Sequence, residues 1–545
     1  MRSHRLVRQS ILAFVALCGF LPVLATAATI TVTGSADDTL VNLNGNGTCD
    51  LREAIEAANT NVPVGECTGD AAGADTIAFN IPGAGPHFVE INGNVNLPPI
   101  TTVVHIDGYT QPGSSANTNA SGAINADLRV GIRRTAGTAS LGLSFAAGSD
   151  GSSVRGLVIG GFGSSGIQVF GSTDVTIAGN FLGTDATGTL DQGSSDAGVL
   201  VMVGADRVTI GGAAPADRNL IAGNNHAQIM KGGNGFASDI TIRNNLIGIQ
   251  IDGNTPLFGD YGIRQWAGGG MIQDNVIGAA LTGIAIYGQG TNYVIANRVG
   301  VGADGASAIG GSQFGVTIED GGDNLAPLAY VGSDNPAHAN IIANWGQSGI
   351  QVRHVEVAAA QPRATILQNS IYDNGGLGIE LVDEANGDVV GVTVNDGGDA
   401  DVGPNGYQNF PVITSAVTDG ASTTVHWTLN STPNTAIWIE AFSNPTCHAS
   451  GYGEGRTVIA SVSAGMTNGA GNLSGVINVP PVALGHFITM TASNSAAFET
   501  SEFSACQMVM AQSVDAPVLS PVGLALMSAL LALTGGLSRR IKGLA

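Results

Sequence analysis

Apolar residues along this chain come in short bursts that alternate with small or polar ones. From about Ser153 to Val394 the bursts repeat. One set reads VTIAGNFLG from Val175, NLIAGN from Asn219, ITIRNNLIG from Ile240, MIQDNVIG from Met271, VIANRVG from Val294, NIIANWG from Asn340 and TILQNSIYDN from Thr365. Between them stand SGIQVF, AGVLVM, TGIAIY, FGVTIE, SGIQV and LGIEL. A period of two over four to eight residues marks half-buried strands, and no 3.6-residue period is present to support helical repeats. Self-similar units with irregular insertions mark a quasi-one-dimensional array. The pattern predicts a parallel β-helix of roughly 20–25 residues per coil, in which successive coils stack at the interstrand spacing. Asn180, Asn224, Asn245, Asn275, Asn297, Asn344 and Asn369 recur beside the same apolar pattern. Asn tolerates left-handed backbone, and its amide can bond the copy on the next coil. These residues are read as structural.

Composition narrows the function classes. Glycine numbers 80 of 545 residues, yet charged residues are only 11% and hydrophobic ones 43%. Low charge with this apolar content excludes a disordered chain, and glycine without a three-residue period excludes collagen. Forty-two acidic residues against 20 basic ones give −22. Such a chain is repelled by a phosphate backbone, so nucleic acid is not an expected partner. Cations, neutral glycans or another protein suit it better.

The two ends carry sorting signals. Arg2, Arg5 and Arg8 precede an apolar run from Ile11 to Leu24 and the small residues Ala25-Thr26-Ala27, which is a signal peptide over 1–28. At the other end, Val522 to Leu537 is apolar and is followed by Arg539, Arg540 and Lys542. The segment APVLSPVGLALMSALLALTGGLSRRIK resembles the IPTL-type C-terminal sorting signals of Gram-negative bacteria. Pro517, Leu519, Ser520 and Gly523 match, and Ala516 and Val518 depart from the usual Ile and Thr. The resemblance implies transient membrane arrest and then processing or delivery to the cell surface. Six of the 20 basic residues lie in these ends, which leaves 14 against 42 acidic ones and a net charge of −28 for the exported body. Cysteine usage fits an oxidising compartment: Cys49 and Cys67 form one local pair, Cys447 and Cys506 another, and two disulfides are the simplest reading.

Leu51, Ala54, Ile55 and Ala58 fall at i, i+3, i+4 and i+7, one face of a short helix. Asp50 would cap it, with Glu53 three residues on. The segment CDLREAIEAANTN resembles the CSLREA-type N-terminal domain of secreted β-helix proteins, with Asp50 where that family has Ser. DTIAFNIPG from Asp75 and LPPITTVVHIDGYTQPG from Leu97 extend the match over about Thr29 to Gly113. The repeats resemble right-handed parallel β-helices of the pectate-lyase-like superfamily, and the right hand is implied by that resemblance. The family supplies a fold and a location rather than a reaction.

After Val394 the texture changes. NDGGDADVGPNGYQNFPVI is an acidic, glycine-rich junction, and about 100 residues of alternating strands follow, the size of an Ig-like β-sandwich. The organisation read from the sequence is therefore 1–28 signal peptide, 29–125 N-terminal cap and first coils, 126–395 parallel β-helix, 396–410 junction, 411–511 sandwich and 512–545 sorting tail. Asp396, Asp399, Asp401 and Asn405 place oxygens on a tight loop and are the candidate Ca²⁺ ligands, since calcium takes six to eight hard oxygens.

Catalytic machinery is harder to find. The chain has no HExxH, no GxSxG and no GHG or NTD motif, and its only RIK lies in the sorting tail. No set of catalytic residues is assigned. His226 to Lys231 and Asp252 to Asp274 are the densest polar stretches of the solenoid, and Asp252, Asp260, Arg264 and Asp274 would serve acid–base chemistry if they converged in a groove. Binding needs less. In YGIRQW an inward Ile263 puts Arg264 and Trp266 on one outer face, where they can stack on and hydrogen-bond a sugar. The sequence thus predicts an exported, adhesin-like or polysaccharide-binding surface protein. The alternative is a polysaccharide lyase or glycoside hydrolase acting on acidic glycans.

Overall fold

The computed structural model describes residues 27–37, 46–69, 73–92, 95–136, 140–232, 239–266, 268–321, 326–356, 360–494, 496–513, 522 and 525–531. Most of the expected signal peptide and sorting tail lies outside them. Among the described residues no helix is long and apolar enough to cross a membrane. The fold is a right-handed parallel β-helix, in two compact units, 1–253 and 254–545.

In the first unit each coil contributes a strand to two or three parallel stacks. One stack runs Thr29–Val32, Asp75–Phe79, Val104–Asp107, Ser153–Arg155, Thr176–Ala178, Thr209–Gly211 and Ile240–Arg243. Register places Ile77, Ile106, Val154, Ile177, Ile210 and Ile242 directly above one another, and all six are fully buried. This aliphatic column is why the alternation was regular: one face of every strand fills the bore. The predicted helix forms at Leu51–Thr60, and Leu51, Ala54, Ile55 and Ala58 are the buried face. Glu53 accepts from the Asp50 backbone N–H at 3.1 Å, and the Cys49–Cys67 disulfide closes the segment. Arg52, buried on this helix, pairs with Asp37 at 2.7 Å and donates to the Asn96 carbonyl at 2.7 Å.

The second unit repeats the scheme and adds a sandwich. Its coils stack Tyr261–Trp266, Thr282–Tyr287, Val316–Glu319, Ile350–His354 and Ile379–Asp383 on one side, with Ile263, Ile284, Val316, Ile350 and Ile379 as the inward column. Two antiparallel sheets then follow. Val412–Thr418, Thr423–Asn430 and Asn472–Val479 form one. Ala436–Asn444, Thr457–Met466 and Phe487–Asn494 form the other. Val425, Trp427, Ile439 and Met490 are among the core residues between them, and Cys447–Cys506 is bonded.

The asparagine ladder exists, with a corrected membership. In the first unit Asn180 donates to Asn219 Oδ1 at 3.3 Å and Asn219 to Asn245 Oδ1 at 2.9 Å. In the second, Asn275, Asn297, Asn340 and Asn369 are linked by bonds of 3.0, 3.0 and 2.8 Å. Asn344 is not a rung. It sits in the left-handed region at φ 66° and donates to the Gly300 carbonyl. Asn224 is buried at another corner, bonded to Gln228 and to the Leu182 carbonyl. Nor do the rungs themselves take left-handed backbone. The residue before most of them does: Gly179, Asn244, Asp274, Ala296 and Gln368 have φ between 57° and 67°. Before Asn219 and Asn340 a 3₁₀ turn, Pro215–Asp217 or Pro336–His338, takes that place.

Candidate functional site

The outer face of the second unit's stack, from Tyr261–Trp266 to Ile379–Asp383, gathers aromatic and charged groups. Ile263 is inward, as the alternation required, and Arg264 and Trp266 stand outward on the same strand. The Arg264 guanidinium lies 5.3 Å from the Tyr261 ring centre, 5.2 Å from Trp266 and 5.5 Å from Tyr287. Trp266 and Tyr287, register partners on adjacent coils, have ring centres 5.2 Å apart and tilted by 37°. Trp266 remains 38% exposed. A cation within about 6 Å of several ring faces is held by their quadrupoles, so the guanidinium is positioned while the indole stays open to a ligand.

The same outward row continues over the next two coils as Glu319 and Arg353. Arg353 bonds Glu319 at 2.9 Å and Glu384 at 2.5 Å. Burial raises the Glu319 carboxyl above its ordinary range, and Arg353 opposes that rise. Burial also pushes the Tyr287 phenol well up, so it stays a neutral donor. The row Trp266, Tyr287, Glu319, Arg353 spans three coil spacings, about 14 Å. Beside it runs a second row, Arg264, Ala285, Thr317, Gln351 and Glu380. Thr317 Oγ1 and Gln351 Oε1 are buried with no hydrogen-bond partner among the described residues. Buried polar atoms are rarely left so, and these two offer bonds to a water or a ligand hydroxyl. Glu380, which accepts from the Gly391 N–H at 2.8 Å, is pushed up to about 7 by burial.

Tyr261, Tyr287, Glu319 and Arg353 were not singled out by sequence. Tyr287 and Glu319 end the strands TGIAIY and FGVTIE, so the signal was the register of those strands with YGIRQW. The acid–base group considered for the solenoid is spread around the coil. Asp260 stands just before Tyr261–Trp266, whereas Asp274 sits in a left-handed turn at the end of Gly270–Gln273, in a different stack. Asp252 lies in a turn of the first unit. Of the polar stretch His226 to Lys231, Lys231 is buried in the inward row with Val201, and burial lowers its ammonium to about 8.

The junction brings three of its four predicted ligands together. Asp396, Asp399 and Asp401 each offer an oxygen within 4.8 Å of the others. Burial, then Asp396 and Asp399, push Asp401 up to about 6. Three carboxylates could supply part of a calcium shell. Asn405 does not join them. Its side chain is buried, accepts from the Ala364 N–H at 2.6 Å, and donates to the carbonyls of Ala364 and Thr500 at 2.9 and 2.8 Å. Its side-chain amide is engaged with the edge of the strand Arg363–Leu367 instead.

No family model and no curated protein matches the chain. Among solved structures it is similar to the A-module of mannuronan C-5 epimerase AlgE4 from Azotobacter vinelandii, at 14% identity over 62% of this chain and 71% of that one, with a TM-score of 0.25. It is similar to the AlgE6 A-module at 15% identity over 63% and 69%, with the same TM-score. It is also similar to the enzymatically active domain of tailspike protein 2 of bacteriophage CBA120, at 10% identity over 79% and 72%, with a TM-score of 0.23.

Proposed function

We propose that this chain is an exported polysaccharide-binding protein of the Gram-negative cell surface, adhesin-like and without catalysis, whose binding face is the row of Arg264, Trp266, Tyr287, Glu319 and Arg353. The observation that carries the reading is the Arg264 guanidinium held over three aromatic rings, one of them a partly exposed indole. A pyranose presents an apolar ring face and a rim of hydroxyls. The indole takes the face, Arg264 and the Tyr287 hydroxyl donate to rim oxygens, and Glu319 accepts from rim hydroxyls. Parallel coils extend this face along the stack, which suits a polymer better than a small molecule. The sorting signals at both ends and two disulfides support export.

The test is a panel of pectins, alginates, glucans and glycosaminoglycans, assayed for binding and for new reducing ends. The expected result is binding to at least one of them, weakened about tenfold or more in Trp266→Ala and in Arg264→Met, with no reducing ends released. Binding indifferent to both substitutions overturns the assigned face. Release of reducing ends by the wild-type protein overturns the non-catalytic reading in favour of a lyase or hydrolase.

A further inference from the structure

The first unit holds a cavity on the outer face of its Thr29–Val32 to Ile240–Arg243 stack. Its volume is about 300 Å³, and its walls include His105, Asp107, Ser153, Arg155, Thr176 and Asp217. That size is at the lower end of ligand pockets, roughly 300–1,000 Å³. The walls arise from two interruptions of the coils. The 3₁₀ turn Gly108–Thr110 follows Asp107 directly, and the turn Pro215–Asp217 brings in Asp217. The floor is a row set by register: Thr76, His105, Ser153 and Thr176 lie on four successive coils, with Asp107 and Arg155 two residues further along their strands.

The polar groups here are half committed. His105 Nδ1 is 2.9 Å from Ser153 Oγ, while Nε2 has no partner among the described residues. Arg155 bonds Asp107 through one nitrogen at 2.6 Å and is 58% exposed, so its other donors are open. Asp107 also accepts from the Tyr109 N–H. Asp217 accepts from the Ala214 N–H through one oxygen, and the other is open. The hydroxyls of Thr76 and Thr176 bond nothing among the described residues. The pocket thus presents hydrogen-bond donors and acceptors side by side, which suits sugar hydroxyls because each both donates and accepts. Its two carboxylates outnumber its one guanidinium, in a chain already at −22, so an anionic sugar is disfavoured. His105, Asp107 and Asp217 do not bring ligand atoms within 4.8 Å of one another as a metal site would.

We propose that this pocket binds one neutral pyranose unit of a glycan, with Arg155 donating to ring hydroxyls, Asp217 accepting from them, and His105 Nε2, Thr76 and Thr176 completing the rim. The inference stands on its own residues and does not require the Trp266 face. The test is made in the Trp266→Ala background, so that loss here and loss there are read separately. Cellohexaose, maltohexaose, laminarihexaose, mannohexaose and oligogalacturonate are titrated calorimetrically. At least one neutral hexaose is expected to bind. Arg155→Met is expected to weaken it about 10–100-fold, the effect of removing a charged donor, and Thr176→Val to weaken it less. Arg155 is more than half exposed, and an unchanged unfolding midpoint verifies that each variant is folded. The proposal is overturned if no neutral hexaose binds, if only oligogalacturonate binds, or if both variants bind as tightly as their parent.

Discussion

Asn297 shows how much one residue does in this fold. Its amide donates to the carbonyls of Ile272 and Ile295 at 2.8 and 3.0 Å and to Asn340 Oδ1 at 3.0 Å, and its own oxygen accepts from Asn275. Replacement by Ala strands several buried groups at once, each costing about 1–3 kcal/mol. Asn297→Ala is therefore expected to lower stability by roughly 3 kcal/mol or more in urea unfolding. Asn344→Gly, at φ 66°, loses a single bond but relieves a left-handed strain, and should stay within about 1 kcal/mol. Equal losses in the two variants would remove the distinction between rung and corner. The sequence made asparagine recurrence legible but not which asparagine of each pair is the rung. NIIAN carries one at either end, and only the one preceding the two apolar residues faces the bore. Arg264 and Trp266 were legible because alternation alone puts them outward. Tyr287, Glu319 and Arg353 were not, because they follow Trp266 in register at intervals of 21, 32 and 34 residues. Insertions set those intervals, and no fixed period reveals them.

At the scale of the element, the last coil of the second unit is closed by side chains acting as a substitute strand. Glu440 accepts from the Gln368 N–H, Glu454 from those of Asp373 and Asn374, and Glu502 from that of Leu381. Asn405 and Thr500 serve Ala364 and Ile366 in the same way. None of this was readable beforehand, since EAF, GEG and SEF look like surface acids until the fold buries them. Burial pushes Glu440 up to about 7 and Glu502 up to about 8, from about 4.3 in an unfolded chain. Raised carboxyls bind protons in the folded state that the unfolded state has released. Their contribution is complete below about pH 4 and is lost as pH rises through 7–8. The unfolding free energy should therefore decrease from pH 5 to pH 8, on the order of 1.4 kcal/mol per pH unit for each group titrating, and the urea midpoint with it. The slope should be shallower in Glu502→Gln. A midpoint that rises over this window, or a slope unaltered by that substitution, would contradict the assignment.

For the molecule as a whole, the same closure decides between solubility and assembly. A chain cut to 29–395 would keep every coil of the second unit but lose the acceptors for Ala364, Ile366, Gln368, Ile371, Asp373, Asn374 and Leu381, together with Phe503, which covers Gly378. That leaves open strand edges that template pairing with another copy. Charge acts in the other direction. Residues 29–395 hold 33 acidic and 13 basic residues, a net −20, and like charge keeps copies apart. The two effects differ in range. Repulsion is screened over about 8 Å at physiological salt and about 3 Å at 1 M, whereas edge pairing acts at the strand spacing of about 4.8 Å. At low salt the truncated chain should therefore stay dispersed longer, and at high salt repulsion no longer reaches past the pairing distance. The expected outcome is association of 29–395 that accelerates with added salt, followed by light scattering, while the chain that retains 396–513 shows no such dependence. A truncated chain that remains monomeric at 1 M salt would mean that the last coil is protected by something other than the sandwich.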